Sequence, residues 1–358
     1  MANICIRAGK QAYKIIRDGG FHFDRITTYF GPATGPRWLI ASGFDLTLLK
    51  NNLLGRAKSI HLVGSSAGAM RFAAWLQPEP EKSYRTLMEK YIGITYKRND
   101  TPATVLKSLF NLANAYLEDD ALSFALANKK YRLAVITARA KNLVASELQW
   151  VQHMGLWICF LFNAMSRSFI HDFAERVVFY NGPKPPHFCL VPGYRGRYIR
   201  LNEANFKYAV MASGAIPLVV AGIKDIYGAP SGVYRDGGLI DYHMTHNYAR
   251  TNDDIILYFN HQERIIPGWL DKKLSYRQPK EDILDNVVMI YPSDNFIAGL
   301  PGGKVPERDD FATFIDTPRT RIKNWQRAVE LAQPLGEEFL ELVESRKIKN
   351  VVEKITVQ

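Results

Sequence analysis

Ser59-Ile60-His61-Leu62-Val63-Gly64-Ser65-Ser66-Ala67-Gly68 carries the reading of the fold. The run Ser59 to Val63 reads as a strand, and it leads straight into a turn of glycine, serine and alanine. Ala69 to Leu76 continues as a helix that stops before Pro78. Strand, sharp turn and helix form the setting in which a G-x-S-x-G serine stands exposed at the top of a sheet. Gly64 and Gly68 permit the turn and let helix pack closely on strand. Ser66 is then placed at a helix N-terminus, where unpaired N–H groups and the helix dipole favour developing negative charge. The N–H of Ala67 is a natural oxyanion donor.

Outward from this turn, short apolar strands alternate with helical stretches. Upstream lie a strand at Ile26 to Phe30, a Gly/Pro loop at Gly31 to Pro36 and a helix at Trp38 to Lys50. Downstream, Thr104 to Leu117 has helical periodicity, and Leu133 to Ile136 reads as a strand. Further strands are predicted at Arg176 to Tyr180, Gly232 to Tyr234, Ile255 to Phe259 and Val287 to Ile290. From about Arg319 to Val352 the chain is charged and helical. This alternation predicts an α/β fold.

Composition narrows the function classes. The chain has 358 residues, 47% of them hydrophobic, enough for a sizeable core. Cys5, Cys159 and Cys189 are far apart and odd in number, so neither a disulfide framework nor a zinc ribbon is expected. The first twenty residues carry charges throughout, so no signal peptide is read and a cytoplasmic location is expected. The formal charge is +11. Basic residues gather at Lys129-Lys130-Tyr131-Arg132, at Arg195, Arg197 and Arg200, and from Arg319 to Lys323, but no nucleic-acid motif accompanies them. A solvated basic face, an anionic membrane surface or a negatively charged substrate are the remaining explanations. Leu148 to Phe162 is strongly apolar and carries Trp150, Trp157, Phe160 and Phe162. Gln149, Gln152 and His153 interrupt it, which argues against a membrane span. A buried helix, an oligomer contact or a lipid-interface helix fits better.

A serine hydroxyl needs a base. Asp236, in Tyr234-Arg235-Asp236-Gly237-Gly238, follows a β-like run and is expected at a strand end. Gly237 and Gly238 after it permit close approach by another backbone segment.

Together these pieces resemble the patatin-like phospholipase family, which pairs a G-x-S-x-G nucleophile with an Asp in D-G-[GA]. Ser66 and Asp236 match in the family's order. Ala212-Ser213-Gly214-Ala215-Ile216-Pro217 looks like the A-S-x-A-x-P segment that precedes the Asp motif. Gly31 to Arg37 stands where the family has a Gly-rich oxyanion loop. Of that loop's pattern, Gly35 and the basic Arg37 are kept, whereas Ala33, Thr34 and Trp38 replace glycines. Pro36 has no N–H, which leaves Ala33, Thr34, Gly35 and Arg37 as donors. The resemblance runs from about Arg25 to about His243. It implies a three-layer α/β/α fold with a central mixed, mostly parallel sheet. It implies Ser66 as nucleophile, Asp236 as base, an oxyanion hole from Ala67 and the 33–37 loop, and a lipid acyl ester as substrate. No metal or cofactor is required. The expected layout is an N-terminal extension (1–24), the catalytic domain (25–318) and a C-terminal helical segment packed on it (319–358).

Two other readings compete. His243, His246 and His261 follow Asp236, giving the Ser, Asp, His order of a conventional α/β-hydrolase triad. A catalytically silent fold, acting as a membrane-binding or interaction protein, is the other. The pair His243 and His246 lacks the carboxylate-bearing helix of a zinc site, so no metal is expected there.

Overall fold

The computed structural model describes residues 2–356, and its strands join in one mixed sheet. In chain order they are β1 (Ile4–Ala8), β2 (Ile26–Gly31), β3 (Ile60–Ser65), β4 (Tyr131–Ala140), β5 (Ala174–Tyr180), β6 (Arg197–Arg200), β7 (Ile223–Lys224), β8 (Val233–Asp236), β9 (Ile255–Phe259), β10 (Val287–Pro292) and β11 (Glu353–Lys354). The order across the sheet is β11-β1-β10-β9-β2-β3-β4-β5-β6, with β8 on β4 and β7 on β8. The five central strands, β10 to β4, are parallel. Their near-continuous apolar sequences, Ile-Ile-Leu-Tyr-Phe in β9 for example, are those of strands covered on both faces.

The protein is α/β with three layers. One face packs on helices that include Ser42–Lys50, Ala67–Trp75, Pro80–Gly93, Pro318–Ala332 and Pro334–Glu344, in a core with Tyr29, Leu62, Phe72 and Trp75. The other face carries Phe30, Val63, Ile136, Ile256 and Tyr258, covered by short helical turns and loops that supply Phe188, Tyr194, Met244 and Tyr248.

Segments near both ends of the described residues add strands to the sheet. Within the expected N-terminal extension, β1 pairs antiparallel with β10 over Ile4 to Ala8. β11, near the other end, pairs parallel with β1, so the segment after residue 318 adds a strand as well as helices. The predicted helix at Trp38 to Lys50 is divided. A tight 3₁₀ stretch covers Gly35–Ala41 and the α-helix begins at Ser42. β4 is longer than Leu133 to Ile136 because its polar residues find partners within the sheet. Thr137 Oγ1 donates to the Val177 carbonyl at 2.9 Å, and Arg139 pairs with Glu175 at 2.7 Å. No helix among the described residues is long and apolar enough to cross a membrane.

Candidate active site

Strand register brings Ser66 and Asp236 together. Ser65 lies opposite Ile136 on β4, and Asp236 lies opposite the next residue, Thr137. β3 leaves the edge of β4 at the turn, and β8 takes up the same edge from the opposite direction. The serine turn and the end of β8 therefore meet head-on, 170 residues apart in sequence. Ser66 Oγ donates to Asp236 Oδ2 at 2.6 Å. The other carboxylate oxygen, Oδ1, accepts from the Gly238 N–H at 2.7 Å, which fixes the rotation of the carboxylate.

The turn is strained. Ser66 has φ +54° and ψ −121°, a conformation that costs a residue with a Cβ about 1–3 kcal/mol. Two close approaches hold it. A Cβ on Gly68 would lie 1.9 Å from the Gly31 carbonyl, so the helix after Ser66 sits directly on β2. A Cβ on Gly237 would lie 2.2 Å from the Ile136 carbonyl and 2.7 Å from Ser65 Oγ. The Ser66 N–H donates to Ser213 Oγ at 2.7 Å, and that hydroxyl donates to the Ile136 carbonyl at 2.6 Å. Ser213 belongs to the Ala212 to Pro217 segment, and its contact with the turn is tertiary. The adjoining Ala215 carbonyl accepts from the Asp236 N–H at 3.0 Å, so one segment tethers both members of the pair.

Beneath the site lies a buried polar cluster. Arg71, on the helix that follows Ser66, makes a forked contact with Asp45 at 2.7 and 2.8 Å. Tyr29 and Tyr84 also donate to Asp45, at 2.6 and 2.5 Å. The cluster joins that helix to β2 and to two neighbouring helices.

Burial pushes the Asp236 carboxyl up to about 6. The Ser66 and Gly238 hydrogen bonds, with Lys272 and Arg308 nearby, act in the opposite direction without cancelling it. A carboxylate raised to this level is a stronger base than usual and is still ionised at neutral pH.

The four donors expected from the loop separate by their engagements. Ala33 N–H donates to the Tyr242 carbonyl at 2.8 Å, and Thr34 N–H to the Pro32 carbonyl at 3.1 Å. In a 3₁₀ turn the N–H three residues beyond the cap returns to the cap carbonyl, which engages Arg37 with Thr34. Gly35, first in the turn, has no such intrahelical acceptor, nor does Ala67 at the start of its own helix. Gly35 and Ser66 line the same cavity. The Arg37 guanidinium is turned to Glu307, at 3.0 Å.

The three histidines are elsewhere. His243 is fully buried and its Nδ1 accepts from the Ile266 N–H at 3.1 Å. Burial, with His261 next, holds its pKa well below the ordinary value. His246 Nδ1 lies 2.9 Å from Thr245 Oγ1, and His261 sits beside His243 with ring centroids 6.0 Å apart. Both Asp236 oxygens already have partners, Ser66 and Gly238.

Two cavities meet at Ser66, sharing Gly35, Ser66, Ile216 and Arg308 as lining. The larger, about 510 Å³, has an apolar wall with Leu156, Trp157, Phe160 and Trp269, and a cationic side with Arg37, Lys272, Lys273 and Arg308. The smaller, about 70 Å³, is apolar around Met70, Val105, Leu109, Val219 and Phe311. Sequence reading missed Lys272 and Arg308, which belong to no motif and reach the site only through the fold.

No family model, curated protein or solved structure matches this chain.

Proposed function

We propose that this protein is a serine acyl hydrolase of the patatin-like kind, acting on carboxylic esters of lipids. The observation that carries the reading is the 2.6 Å contact from Ser66 Oγ to Asp236, made on a strained turn at a helix N-terminus. Asp236 takes the hydroxyl proton as Oγ attacks the ester carbonyl. The oxyanion is held by the N–H groups of Ala67 and Gly35. The tetrahedral adduct collapses, the C–O bond to the alcohol breaks, and the proton on Asp236 passes to the leaving oxygen. Water then enters and gives its proton to Asp236. The hydroxide so formed attacks the acyl carbon, and Ser66 leaves with the proton restored. Neither a metal nor a cofactor is needed for these steps.

The helix Gln149–Met165 supports a lipid substrate, because large apolar side chains stand on its outward face as well as its inward one. Gln152 and Asn163 face inward and are hydrogen-bonded, Gln152 Oε1 accepting from the Leu218 N–H at 2.6 Å and Asn163 donating to Asp271 at 2.7 Å. Trp150, Trp157 and Met165 face outward, 70%, 56% and 77% exposed. The helix contains no charged residue, and Trp157 and Phe160 line the larger cavity. We assign this face to peripheral contact with a lipid surface, the cavity opening towards the bilayer.

The test is a panel of lipid and soluble esters with wild type, Ser66→Ala and Asp236→Asn, together with fluorophosphonate labelling. Turnover and labelling in wild type, both lost in Ser66→Ala, support the reading. A folded wild type that neither reacts nor turns over any ester would make this a silent fold.

A further inference from the structure

We infer that the larger cavity binds a negatively charged group on the alcohol side of the substrate, a phosphate or carboxylate, through Lys272 with Arg308 and Arg37 beside it. The inference rests on the acyl hydrolase reading for the orientation of the ester, and on the cavity itself for the anion.

Charge in the cavity is unbalanced. Its lining has four cations, Arg37, Lys272, Lys273 and Arg308, against two carboxylates, Asp236 and Asp309. Asp236 is taken by Ser66 and Gly238. Asp309 lies 3.7 Å from Arg308, and Arg37 has Glu307. Among the described residues Lys272 has no ion pair. Its ammonium rests over the ring of Tyr242, 4.3 Å from the centroid. Burial first, then Arg37 and Arg308, hold Lys272 down to about 8, while Asp236 and Asp309 act in the opposite direction. A half-buried ammonium with two guanidinium groups in reach and no carboxylate of its own is a site short of an anion.

The division between the two cavities orients the substrate. The smaller one is lined mostly by apolar side chains, with Tyr91 and Tyr96 among them and Ser66 and Arg308 shared with the larger, which suits the acyl chain. The alcohol portion then extends into the larger cavity, on the side of Lys272. A phosphate there receives charge-assisted hydrogen bonds, and the bonded arginines supply a field without giving up their partners.

Two pairs of esters test this, both used as dissolved monomers so that bilayer contact plays no part. The lipid pair is dibutanoyl phosphatidylglycerol against dibutanoylglycerol, which lacks the phosphate. The soluble pair is the butyrate ester of 4-hydroxybenzoate against that of 4-hydroxybenzamide. Wild type prefers the anionic member by about tenfold in kcat/KM, the scale of one hydrogen bond to a charged group. A preference in the lipid pair alone identifies a headgroup site, and a preference in both identifies a general anion site. In Lys272→Met the ratio collapses towards one, and Lys272→Arg restores it. Equal kcat/KM within both pairs in wild type overturns the inference, as does an unaltered ratio in Lys272→Met. A separate arm titrates glycerol 3-phosphate into Ser66→Ala and reads the tryptophan fluorescence of the cavity wall. Binding there that is lost on adding Lys272→Met supports the anion site even if no ester is cleaved. Absence of binding, with no preference in turnover, rejects it while leaving the hydrolase reading in place.

Discussion

The Ser66 hydroxyl donates to Asp236 over 2.6 Å, and no histidine intervenes. The base is a carboxylate raised to about 6 by burial, so kcat/KM is expected to rise with pH through about 6 and then level off. Asp236→Asn lowers kcat by about 10²–10⁴, the usual contribution of a general base. His246→Gln and His261→Gln keep the acid limb where it is. Disappearance of the limb in either variant would sink the dyad.

The same burial has a consequence for stability. Between pH 3.8 and about 6 the folded protein binds more protons at Asp236 than the unfolded chain does. Stability therefore falls as pH rises through that window, and remains reduced above it. The shift corresponds to roughly 3 kcal/mol. Asp236→Asn is expected to melt a few degrees above wild type at pH 8 and to lose that advantage near pH 4. Calorimetry at the two pH values checks it. A variant less stable than wild type at pH 8 would mean that the carboxylate's hydrogen bonds outweigh its desolvation.

Ser213 is expected to act on the reaction through position alone. Ser213→Ala leaves the Ser66 N–H and the Ile136 carbonyl without this link, at a cost of about 1–3 kcal/mol. The strained turn then relaxes, and kcat falls by about tenfold or more while KM changes little. Stopped-flow with a soluble ester measures both. A loss confined to stability, with kcat intact, would reduce Ser213 to a packing residue.

How much of this was legible in the sequence depends on how local each feature is. The serine turn reads directly, since strand, small residues and helix are contiguous from Ile60 to Trp75. Asp236 reads as a candidate through its glycines, but its selection over Asp18, the other Asp followed by two glycines, needs the register of β4. β1 is hard to read in the sequence because its five residues include Arg7, whose charge is met by Glu263 and Glu353 in the folded chain. The oxyanion loop illustrates the limit. Sequence removes only Pro36 from the donors, whereas the engagements of Ala33 and Thr34 depend on the Tyr242 and Pro32 carbonyls. Lys272 is invisible to pattern because nothing near it in sequence marks it; its meaning comes from Tyr242, Arg37 and Arg308.

The small cavity is expected to set acyl length. Val105 is half-buried and lines it beside Leu109. Val105→Phe fills space that a chain end would occupy. One or two methylenes in an apolar pocket change discrimination by about 10–200-fold, so the hexanoate to acetate ratio of kcat/KM falls by at least about tenfold. A p-nitrophenyl ester series of increasing length reads this. An unchanged ratio would place the acyl chain in the larger cavity instead.

The outward face of helix Gln149–Met165 is expected to carry the contact with a lipid surface. Trp150, Leu161 and Met165 are exposed on it, and none of them lines the cavity. Inserting such side chains into a lipid interface contributes roughly 1–2 kcal/mol each. A Trp150→Ala/Leu161→Ala/Met165→Ala variant is expected to lose affinity for phosphatidylglycerol vesicles by about a hundredfold or more. Its melting temperature holds, because the inward contacts of Gln152, Leu156, Cys159 and Asn163 are untouched. Hydrolysis of vesicle-borne ester drops with binding, while hydrolysis of monomeric ester continues. Vesicle co-sedimentation measures the first, and a soluble-ester assay the last. If the variant binds vesicles as wild type does, the exposed apolar stripe serves another contact. A shift from dimer to monomer in the same variant, read by light scattering, would identify that contact as a second copy of this chain.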